Sequence, residues 1–315
     1  MTTAINRLIT PSADIDISRN TPHMRVGLAT GAIGLVTAVA VAIIGIAVAS
    51  AIGNGNEGDA ATLAAVGFGL NTTALAMLKL GIGAVLVGIL IRLWIRVDSI
   101  KVALGAMKPQ SKSVLIEPGL VDTEFGTCTV AADQPAVLPI HRMARTVWAP
   151  MLAMGATAVF AGLITSFIWA GQIETGSTTA AAWTQGLQFL GEGMILAGIS
   201  FLLGSILGGL RDGGAEVQAA LGVPVLTLRM PSMAKAFIAT MVVGVMLSVG
   251  QFVGYVATTT FTDPATVRLW FSVLGPIREL GLGILLVGIA LALGTIGHVL
   301  GFQFWRIRGI VATGK

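Results

Sequence analysis

The chain has one cysteine, one tyrosine and three histidines in 315 residues. It is also short of charge: 11% of its residues are Asp, Glu, Lys or Arg, where a soluble domain carries about 25%. Each shortage excludes something. A lone cysteine, Cys128, cannot form an intrachain disulfide framework. His23, His141 and His298 follow no ligand spacing, and no Cys or carboxylate pair joins them, so no metal and no cofactor is expected. There is no phosphate loop, nucleophile elbow or catalytic triad, and enzyme chemistry is not indicated. The net charge is +4, but the bases are spread over several loops without a dense patch, which excludes nucleic acid as a partner. The first 25 residues are polar and lack the apolar core of a signal peptide.

Apolar residues take the place of the missing charge. They make up 55% of the chain and fall into six long runs, at 26–52, 72–95, 147–171, 185–210, 233–257 and 269–303. A helix needs about 20 predominantly apolar residues to cross a bilayer. The runs are too long and too continuous for barrel strands. The expected fold is an all-α integral membrane protein with six spans in the lipid bilayer. Sixteen of the 19 Lys and Arg residues lie in the N-terminal tail, the two even-to-odd loops and the C-terminal tail. The opposite loops carry Glu57, Asp59, Glu174 and Asp263, with Arg268 as their one base. The positive-inside rule then places both termini in the cytoplasm of a plasma (inner) membrane protein.

One motif occurs three times. Leu80-Gly81-Ile82-Gly83 through Gly88-Ile89 recurs as Leu190-Gly191-Glu192-Gly193 through Gly198-Ile199, and again as Leu280-Gly281-Leu282-Gly283 through Gly288-Ile289. A basic entry also recurs, Met143-Ala144-Arg145 matching Met233-Ala234-Lys235. The unit is a helical hairpin, so three parallel two-helix repeats are expected, pseudo-threefold about the membrane normal. The chain divides into a tail (1–25), a first hairpin (26–96), a loop (97–145), a second hairpin (146–210), a loop (211–232), a third hairpin (233–303) and a C-terminal tail (304–315). Within the first loop, Ser113 to Leu120 and Thr127 to Val130 flank the Pro118-Gly119 pair and suggest a short β-hairpin. The pairs Gly81 and Gly88, Gly191 and Gly198, Gly281 and Gly288 are each seven residues apart, which keeps small residues on one helix face for close packing between hairpins. Pro276 is expected to break the last span.

Charge sits beside each copy. Lys79 and Glu279 occupy the same repeat position, Arg278 matches Gln188, and Glu192 follows its glycine. Charges within a membrane are expensive and face an interior or a cavity. These five residues are therefore the candidate substrate or ion pathway, with Gln251 and Tyr255 as added hydrogen-bonding groups. Two functions are compatible. The chain is a transporter or channel for a small solute or ion that uses this layer, or it is a non-catalytic subunit or scaffold of a larger membrane complex, with homo-oligomers included. The recurrence of charge at one level in all three units favours transport. The residues carry no family signature.

Overall fold

A computed structural model describes residues 22–105, 119–131, 137–220 and 222–313. Six helices are long and apolar enough to cross a membrane: α1 (Pro22–Gly53), α2 (Glu57–Gly105), α3 (Pro139–Gly171), α4 (Thr179–Ala220), α5 (Ser232–Thr258) and α6 (Pro264–Thr313). In lipid every backbone N–H and C=O must be satisfied within the segment, so apolar runs of this length become helices despite their β-branched residues. The ends follow local chemistry. Leu138 precedes Pro139 at the first turn of α3, where the missing N–H is harmless. Asp263 caps α6, accepting bonds from the Ala265 and Thr266 amides (3.1 and 3.0 Å) and the Thr266 hydroxyl (2.7 Å). The Thr266 hydroxyl, then these amides, hold its carboxyl below the usual range.

The helices exceed the apolar runs. The 50 residues of α6 span about 75 Å, more than twice the ~30 Å hydrocarbon core. The even helices α2, α4 and α6 outrun their odd partners, and α4 and α6 carry a three-stranded antiparallel sheet at one end of the bundle, here the sheet end. Strands β1 (Gly119–Thr123) and β2 (Gly126–Ala131) form a hairpin, and β3 (Val225–Leu228) adds to β2. The hairpin turns at Glu124-Phe125 and not at Pro118-Gly119: Gly126 takes φ 117°, and the Thr123 hydroxyl bonds to the Gly126 carbonyl (2.8 Å). Gly119 is the first strand residue, and 113–118 lie outside the described residues. The third strand comes from the second even-to-odd loop, so the two loops share one cap. Cys128 is wholly buried in the sheet, and burial pushes its thiol up.

Pro276 does not break α6, which runs unbroken through it. The proline costs the Ser272 carbonyl, four residues earlier, its helix donor, and the adjoining turn is fastened to α5 by Gln251, which donates to the Leu274 carbonyl (3.0 Å).

Each hairpin is held along a glycine contact. A Cβ at Gly81 would lie 2.9 Å from the Gly27 carbonyl, one at Gly191 2.7 Å from the Gly155 carbonyl, and one at Gly244 3.3 Å from the Gly281 carbonyl. Gly198 meets Leu152 of α3 and Gly288 meets Thr240 of α5. Gly88 is buried. These contacts join the two helices of one hairpin, where the spacing suggested a seam between hairpins.

Between hairpins, α2 packs on α3 and α4, and α4 packs on α5 and α6. A closed threefold ring would give α2 and α6 a comparable face; among the described residues they have none of that extent. Instead α4 stands in the middle. Its most apolar stretch is 83% buried, against 6% for α1. Leu90, Ile195, Ile199, Leu202, Phe237 and Ala292 form the main core around it.

Candidate functional site

The five polar residues of the expected pathway do not converge on one point. They form two contacts against opposite parts of α4. Lys79 of α2 places Nζ 3.0 Å from Oε1 of Glu192, whose side chain is 5% exposed. Gln188, one turn earlier, is fully buried and donates to the Gly69 carbonyl of α2 (3.1 Å). Glycine makes this possible: a Cβ at Gly162 would run into Gln188 itself, and one at Gly69 into Ser166 beside it. On the other side, the Arg278 guanidinium lies 3.9 Å from the Phe189 ring centroid, a cation–π contact. Arg278 also pairs with Glu279, its neighbour in sequence.

Glu279 departs from the expected interior layer. Its side chain is 65% exposed on the outer face of α6. Adjacent helical positions differ by about 100°, so Arg278 turns inward while Glu279 turns out. Gln251 is spent on the α6 backbone, as described. Tyr255 is buried with Phe189 and Leu274, and its ring meets Phe271 edge-on at 5.3 Å. Its hydroxyl, Gln188 Oε1 and Arg278 Nε are buried without a hydrogen-bond partner.

The well-formed cavities do not open on Lys79 or Glu192. Among the described residues, one apolar hollow lies between Thr73, Met77, Leu80 and Phe160. Another, more open, is bounded by Phe68, Trp169, Gln185 and Phe271 near the interhelical turns. A third, of about 370 Å³, lies at the sheet end between α4, α5, α6 and the sheet. It holds Arg211, Arg229, Arg306 and His141. Little in the sequence points to it, because its walls come from five separate segments. The available signal is basic residues, Arg211 and Arg306 toward the ends of α4 and α6 and Arg229 before α5, which the positive-inside rule also explains.

Comparison with protein-family models, curated proteins and solved structures gives no match. Among the described residues there is no group of three or more His, Cys, Asp or Glu able to hold a metal ion. His141 and His298 instead meet backbone carbonyls, of Gly204 (3.3 Å) and Phe125 (2.9 Å).

Chemically, the Lys79–Glu192 contact is a neutral pair in a low-dielectric setting. Its partners compensate each other's desolvation, and removal of either leaves a buried charge. Such a pair holds α2 against α4. It offers no free group to a solute unless it opens.

Proposed function

We propose that this polytopic membrane protein is a non-catalytic subunit that assembles with further copies of itself, head to tail, in the bilayer. The observation that carries the reading is the open end of the hairpin series. The first hairpin docks on the second through α2, where Gly83 meets Leu152 and Ile199. The second docks on the third through α4, where Gly193 meets Ser248. A Cβ at the corresponding Gly283 of α6 would meet nothing within 4 Å among the described residues. At the other end, among the described residues α1 has no extensive contact except with α2. An α6 face awaiting a hairpin and a first hairpin lacking a predecessor are complementary, and docking of this kind is heterologous. The paired charges of Lys79 and Glu192 fit a scaffold better than a conduit.

Cysteine cross-linking tests this. Gly283→Cys in one copy and Ile33→Cys, Val36→Cys or Val39→Cys in another, all in a Cys128→Ser background, should yield mixed dimers in membranes. These α1 positions are exposed, and they lie at about the same distance from the interhelical turn as Gly283. Cross-links only between two Gly283→Cys copies would contradict the head-to-tail arrangement.

A second reading, transport through the charged layer with Lys79, Gln188, Glu192, Arg278 and Glu279 as its path, is supported by the three partnerless polar atoms noted above. Buried polar groups without partners call for water or a ligand. Under that reading Lys79→Met and Glu192→Gln abolish ion or solute flux in proteoliposomes; under the scaffold reading wild type and variants show none.

A further inference from the structure

The sheet-end cavity has the composition of a ligand site. Its volume of about 370 Å³ lies in the range of small-molecule pockets. Its wall contains three arginines and a histidine but no carboxylate. Among the described residues the acid in contact with these arginines is Asp212, 4.0 Å from Arg211, and Asp212 is already bonded to Arg145 at 2.8 Å.

Arg306 is the anomaly. It is 4% exposed, and among the described residues no carboxylate forms an ion pair with it. Its bonds go to neutral acceptors. Nη1 donates to the Leu226 carbonyl (2.6 Å) and to Gln218 Oε1 (3.1 Å), and Nη2 donates to Gln303 Oε1. Its flat face lies over Phe302, 4.7 Å from the ring centroid. Among the described residues Nε remains buried without a hydrogen-bond partner, and Nη1 of Arg211 has only Asp212 Oδ1 at 4.0 Å. Buried charges are normally paired, so the cavity is short of an anion.

The rest of the wall is apolar, from Leu207, Met230, Val299 and Phe302. It also does not end at the arginines. A narrow apolar crevice shares His141, Leu207, Met230 and Ala234 with the cavity and runs on between α3 and α5 to Phe237 and Met241. Met241 is nine residues into α5, about 14 Å along the span. Arginine forks bind phosphate oxygens with several charge-assisted bonds, and an apolar slot pointing into the membrane accepts an acyl chain.

We propose that this cavity binds the phosphate head of an anionic lipid, with Arg211, Arg229 and Arg306 around the phosphate and one acyl chain in the α3–α5 crevice. The ligand is a component of the surrounding bilayer; a free phosphate would use the arginines alone and leave the crevice empty.

The full-length protein in phosphatidylcholine nanodiscs, with or without phosphatidylglycerol, provides the test. Native mass spectrometry should show phosphatidylglycerol retained in preference to phosphatidylcholine, and phosphatidylglycerol should raise the unfolding temperature. Arg229→Gln and Arg211→Gln should each weaken that retention about tenfold. Ala234→Phe, which keeps every charge but fills the junction of cavity and crevice, should abolish it. Arg306 is left in place because it also ties α4 to β3. Equal retention of the two lipids, or retention unchanged in all three variants, would overturn the site. An equal rise in unfolding temperature from inorganic phosphate in pure phosphatidylcholine would overturn the lipid assignment.

Discussion

Glu192 shows how one side chain can serve as glue or as chemistry. It lies at the centre of the bundle on α4, 5% exposed, with Lys79 at 3.0 Å. If the pair holds helices together, Glu192→Gln leaves the Lys79 ammonium, 20% exposed, without its partner and destabilises the fold by less than the ~3–5 kcal/mol of a fully buried pair. The double variant Lys79→Met/Glu192→Leu removes both charges and should recover most of that loss, because apolar pairs often replace buried ion pairs at no cost. Thermal unfolding in detergent measures both. A double variant no more stable than Glu192→Gln would argue against compensation. The repeat places Lys79 and Glu192 at nearby levels of their helices, but it matches Lys79 with Glu279, and the Lys79–Glu192 contact comes from how α2 docks on α4. The exposure of Glu279 was not legible either: the motif gives its level along α6 but not which flank of that helix a neighbour covers.

At the scale of the element, the glycines act where one helix of a hairpin lies on the other. Gly155 and Gly191 face each other's backbones, with a Cβ at Gly155 2.8 Å from the Gly191 carbonyl. Gly155→Leu or Gly191→Leu should therefore push α3 from α4 and lower stability by at least ~3 kcal/mol, the upper range for overpacking. Gly45→Leu on α1, with nothing within 4 Å, should change little. Unfolding temperatures of the three variants check this; equal effects would show that the close approach is unimportant. Six spans were legible because lipid demands long apolar runs. Helix lengths were not, since α2, α4 and α6 continue as polar-flanked helices beyond the bilayer. The continuity of α6 through Pro276 was not legible either, because a proline in a helix interior reads locally as a break. The third strand was hidden because Thr129 pairs with Thr227 across the interval between two loops.

At the scale of the molecule, the three hairpins share internal contacts but not surroundings. The first and third each have one unfilled side, and the second has none. A repeat in sequence reports what each unit is, and only docking decides whether the series closes. Here α4 separates α2 from α6, so the faces that a ring would have matched internally have no such match among the described residues. The basic cavity belongs to this scale as well, because it exists only where α4, α5, α6 and the shared sheet meet. The most direct test of head-to-tail assembly is the mass of the particle after mild solubilisation, measured by native mass spectrometry for the wild type and for Gly283→Trp. Gly283 has open space around it, so the variant should fold and unfold as the wild type does. The account predicts a wild-type particle containing several copies of the chain that falls to a monomer in Gly283→Trp. A monomeric wild type, or an oligomer that the variant leaves intact, would contradict it.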